Sequence, residues 1–224
     1  KSLADDNSVD GILVQLPLPK HLDENKILNL IPAEKDVDGF LAENVGNLLL
    51  GQPSTVACTP FGVLKMLKSE NIELCGKNAV VIGRSNIVGK PVAHLLETRN
   101  ATVTLAHSRT PRSELLRLFL ASDVVILAVG KSEFITEDEI LEYQKLNNVN
   151  VVNNRVIVDV GINRNQAGKL CGDLSEEFKA KYSEYYSPVP GGVGPLTVAN
   201  LLYNTVKLHH QEHKNDTKLR ATDT

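Results

Sequence analysis

From residue 78 onward the chain alternates short apolar runs with amphipathic stretches. The runs NAVVIG, TVTLAH, DVVILAVG and RVIVDVG predict strands over residues 78–83, 102–107, 123–130 and 155–161. Apolar spacing near 3.6 residues between them predicts helices over 90–98, 113–121 and 137–145. Strands that are apolar nearly throughout belong to a parallel sheet covered by helices on both faces. Residues 60–190 are therefore expected to form a doubly wound α/β domain.

The pattern upstream is weaker. Residues 10–18 (DGILVQLPL) predict a buried strand running into a proline turn, and 23–31 a helix with an acidic first turn, stopped by Pro32. Residues 33–40 read as a charged turn, 44–50 are mixed, and 51–54 read as a turn. Thr59 is the predicted N-cap and Pro60 the first residue of a helix continuing through VLKMLKSEN. A loop dense in proline and glycine, 187–196, leads to a predicted helix over 195–208, and the polar tail 209–224 extends that helix or runs free. A lone strand at 10–18 cannot bury both faces, so further residues of the same domain are expected upstream of it.

Composition narrows the function classes. The 224 residues are 42% hydrophobic and 23% charged, with a net charge of −3, which argues against a nucleic-acid partner held by a basic surface. No apolar run approaches ~20 residues, and the opening KSLADDNSVD does not read as a signal peptide, so a cytoplasmic protein without a membrane partner is expected. Cys58, Cys75 and Cys171 form no CxxC pair and read as reduced thiols, Cys58 with a structural role. His209, His210 and His213 have ligand-like spacing, but a polar tail offers them no carboxylate, so no metal site is expected.

The candidate chemistry lies in residues 77–91, KNAVVIGRSNIVGKP: a strand, a turn bounded by Gly83 and Gly89, then a helix start. Backbone N–H groups and a helix dipole in such a turn can hold a phosphate. Five residues separate the glycines where a Walker loop has four, and Pro91 stands where a magnesium-binding hydroxyl would be, which argues against kinase or ATPase chemistry. The GxGxxG spacing is absent too. The next strand ends in His107-Ser108-Arg109-Thr110, where an NAD site has an acidic residue. A hydroxyl and a guanidinium there suit a ribose 2′-phosphate, so NADP is expected, with Arg84, Ser108 and Arg109 around that group.

Seven stretches, in order, carry a resemblance: DGILVQLPLP, EKDVDGF, CTPFG, VVIGRSNIVGKP, HSRT, VIVDVGIN and PVPGGVGPLTVANLL. On these the chain resembles the bifunctional methylenetetrahydrofolate dehydrogenase/methenyltetrahydrofolate cyclohydrolase family. The resemblance implies a Rossmann-like NADP domain over 59–191 and a smaller α/β catalytic domain, incomplete at its N-terminus, over 1–58. Residues 192–224 would be a helix returning to the catalytic domain, plus a tail. It implies folate bound in a cleft between the domains, and a homodimer paired through the cofactor domain. The activity would be oxidation of 5,10-methylenetetrahydrofolate with NADP, then hydrolysis to 10-formyltetrahydrofolate, in one-carbon metabolism.

Residue by residue, the resemblance makes Gln15 the supporter of the catalytic lysine and Asp38 the carboxylate that holds the pterin, with Asp36 structural. Pro188, Pro190, Gly191 and Gly192 would bring backbone close to folate. Thr59, Gly83, Arg84, Ser85, Ile87, Ser108, Val129, Gly130, Ile162 and Thr197 would line the cofactor site. The family's catalytic lysine lies upstream of its VQLPLP strand, and no YxxxK pattern occurs in this opening. A chain of this extent is thus expected to bind NADP without performing the chemistry. The competing expectations are a non-catalytic nucleotide-binding module and a monofunctional, NAD-dependent dehydrogenase.

Overall fold

The computed structural model describes residues 1–52, 55–149, 153–165 and 167–222, with side chains through 211. Pro53 and Ser54 of the expected 51–54 turn, and the side chain of His213, lie outside the described residues. The chain divides into two compact units, Thr59–Thr197 and Lys1–Cys58 with Val198–Thr224.

The larger unit is built on strands β1 (Asn78–Ile82), β2 (Thr102–Ala106), β3 (Val124–Leu127), β4 (Val156–Asp159) and β7 (Tyr185–Tyr186), all parallel in the order β2-β1-β3-β4-β7. Helices α3 (Cys58–Ser69), α4 (Gly89–Glu97), α5 (Arg112–Ala121), α6 (Glu137–Asn147) and α7 (Glu176–Tyr182) connect and cover them. Successive strand residues face opposite sides. Val80, Ile82, Val125, Leu127 and Ile157 pack with Leu115, Leu116 and Phe119 of α5, Ile140 of α6 and Phe178 and Tyr182 of α7. The alternate residues Ala79, Val81, Ile126 and Val158 are buried as deeply, and α4 lies against β1 and β2. Helices thus cover both faces, as the apolar runs predict. The two edge strands, β2 and β7, are the ones largely open to solvent.

The four predicted strands and three predicted helices form with ends shifted by at most three residues. Helix α7, the short edge strand β7 and an antiparallel pair, β5 (Asn163–Arg164) and β6 (Leu170–Cys171), went unread in the sequence. At two residues each, these strands leave no periodicity to read.

In the smaller unit the expected strand at 10–18 is not formed: Ile12 makes a single parallel bridge to Asp36. Backbone packing holds this segment instead. A Cβ on Gly11 would collide with Val37, and the buried Lys35 ammonium donates to Ala4 O and Asp6 O at 3.1 and 2.8 Å. The helix expected over 23–31 shrinks to α1 (Glu24–Leu28), N-capped by Asp23. The mixed stretch is helix α2 (Ala42–Leu49). Its buried Asn44 ties it down, donating to Ala33 O and Asp36 Oδ2 and accepting from Thr55 N.

Helix α8 runs over Val193–Thr222, starting two residues earlier than predicted and including most of the polar tail. Within the smaller unit its buried Asn200 donates to Cys58 O, and Asn204 donates to Val37 O and Val56 O. His209 faces Asp10 at 3.0 Å, so the tail does meet a carboxylate. No group of three His, Cys, Asp or Glu side chains placed to hold a metal occurs among the described residues.

Candidate active site

The sheet order reverses direction between β1 and β3, and in open α/β sheets a crevice for ligands opens there, outside the carboxyl ends of the strands. Gly83 follows β1 at this point with φ +130°, a conformation that L side chains rarely adopt. A Cβ on it would run into the carbonyl of Ala128, which follows β3. A Cβ on Gly89 would run into the carbonyl of Gly83. The two glycines therefore let the turn fold flat against the sheet edge.

Inside that turn, Ser85 Oγ accepts from Val88 N at 3.1 Å and Gly89 N at 3.2 Å, and Ser85 O accepts from Lys90 N. The chain thus satisfies part of the first N–H groups of α4 itself. Arg84 and Ile87 remain exposed on the outer side of the turn.

Beside it, Gly83 N donates to Ala106 O, so the ends of β1 and β2 lie next to each other. His107–Thr110 then closes a tight turn: Thr110 N donates to His107 O, His107 N to Thr110 Oγ1, and Arg109 N to His107 Nδ1. These bonds fix the backbone and leave Ser108 and Arg109 exposed.

On the other side of the switch point, Val129 and Gly130 follow β3, with Gly130 at φ +74°. Beyond β4, Ile162 stands 69% exposed. It lines a cavity of 230 Å³ with Pro188, Pro190, Gly191 and Gly192. Thr59 does not cap α3, which begins at Cys58; its hydroxyl lies 2.9 Å from that of Thr197.

Sequence reading missed two buried carboxylates in this unit. Asp159, ending β4, accepts from Gly161 N, Asp173 N and Leu174 N, and its Oδ2 lies 3.7 Å from the buried Lys179 ammonium. Burial raises its pKa, and the Asp173 and Leu174 N–H donors and Lys179 partly offset the rise. Asp173 accepts from the loop after β3. The available signal was the pairing of each aspartate with a glycine: Gly172 makes room for Asp159, and Gly161 for Asp173.

In the smaller unit, Asp36 is 2% exposed and accepts from Gly39 N, Leu41 N and Asn44 Nδ2, all within 3.0 Å. Gly39 sits at φ +69°, where a Cβ would strike the backbone of residues 55–57. Asp38, half-buried, has no hydrogen-bond partner among the described residues. Burial first, and the Asp36 charge second, push its pKa up to about 6. Gln15 is exposed and, among the described residues, its amide donates only to the neighbouring Leu16 O. The Cys58 thiol, pushed up to about 11 by burial and the Asp38 charge, is no nucleophile.

Residues 57–213 match the family described as tetrahydrofolate dehydrogenase/cyclohydrolase, NAD(P)-binding domain, and residues 1–38 match the catalytic domain of the same family. The bifunctional protein FolD of Campylobacter hominis is 52% identical over 207 residues, covering 92% of this chain and 68% of that protein. The crystal structure of the bifunctional FolD methylenetetrahydrofolate dehydrogenase/cyclohydrolase from Campylobacter jejuni superposes with a TM-score of 0.84 at 45% identity, covering 94% of this chain and 71% of that one. The Trypanosoma brucei methylenetetrahydrofolate dehydrogenase-cyclohydrolase, solved with NADP and an inhibitor, gives 0.83 at 36%, covering 94% and 70%.

Proposed function

The chain belongs to the tetrahydrofolate dehydrogenase/cyclohydrolase family, and from that premise we propose the part each residue plays. The protein oxidises 5,10-methylenetetrahydrofolate to 5,10-methenyltetrahydrofolate with NADP and hydrolyses the product to 10-formyltetrahydrofolate. Held by residues such as Thr59, Gly83, Ser85, Val129 and Thr197, NADP would supply the hydride acceptor for the methylene carbon. Its partners are tetrahydrofolate derivatives; no helix is long and apolar enough to cross a membrane among the described residues, and we place the protein in the cytoplasm as a homodimer.

The observation that carries the nucleotide reading is the pairing of strand ends at the switch point. The flat Gly83–Gly89 turn admits the pyrophosphate, and at the adjacent end of β2 stand a hydroxyl and guanidinium in place of a carboxylate. Ser108, Arg84 and Arg109 hold the 2′-phosphate, as a charge-assisted cluster that NAD cannot engage. Thr59, Ser85, Ile87, Val129, Gly130, Ile162 and Thr197 line the rest of the dinucleotide. Pro188, Pro190, Gly191 and Gly192 give folate a wall without bulky side chains.

Asp38 holds the pterin. An ionised carboxylate with no competing donor accepts two parallel hydrogen bonds from the pterin amino group and ring N–H. Gln15, with only a local bond to give up, is free to orient a catalytic group.

The test is NADPH formation dependent on 5,10-methylenetetrahydrofolate in the full-length protein, with the product identified as 10-formyltetrahydrofolate. The reading predicts that NAD supports the reaction far less well than NADP. Equal rates with NAD, or a product that stops at the methenyl stage, would overturn it.

A further inference from the structure

We propose that Asp173 is a positioning residue of the cofactor site, which fixes the backbone facing the nicotinamide half of the dinucleotide without touching it. The proposal rests on the reading that this site binds NADP. Asp173 is wholly buried, and its carboxylate is filled by N–H groups. Oδ2 accepts from Val129 N at 2.7 Å and Gly130 N at 3.2 Å; Oδ1 accepts from Lys131 N at 2.9 Å and the Asn163 amide at 2.9 Å. Three consecutive N–H groups of one loop thus converge on one side chain, helped by the left-handed Gly130. Such a run of amides is an anion-binding concavity, and here the protein's own carboxylate occupies it.

Asp173 is itself anchored from both sides. Its N–H donates to Asp159 Oδ1, and its carbonyl accepts from Phe134 N at 2.8 Å. The turn after β4 packs directly on it, since a Cβ on Gly161 would collide with its carboxylate. One buried group therefore ties the loop after β3 to the turn that precedes Ile162. Neighbouring strands lie ~4.8 Å apart, so the ends of β3 and β4 stand roughly 10 and 14 Å from that of β2. With the 2′-phosphate at β2, these ends face the far half of an extended dinucleotide. The loop cannot be held by secondary structure, because β3 has ended at Leu127; Asp173 does it instead.

Asp173→Asn keeps the shape but presents an amide NH2 to one of the two donor pairs. Titrations of wild type and variant with NADPH and with adenosine 2′,5′-bisphosphate, which reaches only the β1–β2 side, separate positioning from general stability. The proposal predicts that the variant binds NADPH roughly tenfold more weakly while adenosine 2′,5′-bisphosphate stays within about twofold. Unchanged NADPH binding overturns it, as does equal weakening of both ligands. If Asp173→Asn does not fold, Asn163→Ala, which removes one donor holding the carboxylate, takes its place. A selective loss of NADPH affinity supports the proposal, and an equal loss or none overturns it. Wild-type protein that binds neither ligand overturns the NADP reading itself, and this proposal with it.

Discussion

Asp36 and Asp38 stand two residues apart and meet opposite environments. Asp36 is surrounded by three donors and closes the turn; Asp38 keeps its lone pairs and pays in desolvation. The pH dependence follows with a definite sign. A carboxyl whose folded pKa is about 6, above its usual 3.8, binds its proton more tightly folded than unfolded, so its contribution to stability is present below pH 3.8 and lost as pH rises through 6. The proposed pterin contact of Asp38, which would need the ionised form, runs the other way. Asp38→Asn is expected to fold at least as stably as wild type at pH 7 by urea unfolding, and to lose tetrahydrofolate binding while keeping NADPH binding. In wild type, folate affinity should fall by about tenfold per pH unit well below pH 6. Retained folate binding in the variant would contradict the role. The composition could not separate the two aspartates, since KDVDG offers both to any ligand; the resemblance singled out Asp38, and the donors around Asp36 come from Gly39, Leu41 and Asn44 only after the turn has folded.

Among the elements, legibility followed the source of stability. β1, β3 and β4 are buried nearly throughout and announce themselves as apolar runs. Helix α2 does not: Gly46 and two asparagines weaken its pattern, and its hold is the side chain of Asn44, a tertiary interaction that periodicity cannot show. The segment 10–18 misled in the opposite direction, because its apolar residues suggested a strand while the fold gives Ile12 one bridge. The same logic makes Asp36→Ala costly. It leaves Gly39 N and Leu41 N without an acceptor in a buried turn, and a loss of about 2–4 kcal/mol is expected from denaturant unfolding. Gly89→Ala, at a helix position where alanine ordinarily stabilises, should instead destabilise by at least ~1 kcal/mol, because the added methyl meets the Gly83 carbonyl. Greater stability on substitution would show that the turn relaxes easily.

At the scale of the whole sheet, the two edges of the larger unit carry different duties. The loops following the strands hold Gly83, Ser108, Val129 and Ile162. The opposite edge, where β4 begins, holds Arg155, 2% exposed and without a carboxylate partner among the described residues. Its guanidinium donates to Tyr182 O at 2.7 Å and Leu120 O at 3.2 Å, the last turns of α7 and α5, and stacks over Phe119. Two helix C-termini supply the negative potential that an anion otherwise would. Burial lowers the Arg155 pKa, so the charge is held at a cost. Arg155→Met is expected to lower the unfolding free energy by about 1–3 kcal/mol and leave the NADPH dissociation constant unchanged, which separates the structural edge from the proposed ligand edge.

The central claim, that the Gly83–Gly89 turn and the end of β2 form a site for a 2′-phosphorylated dinucleotide, is tested most directly by equilibrium titration of the chain with NADPH and NADH in the same buffer. The account predicts NADPH bound at least roughly tenfold more tightly, with Ser108→Asp abolishing the preference by placing a carboxylate against the phosphate. Equal affinities, or tighter binding of NADH by the wild-type chain, would contradict it.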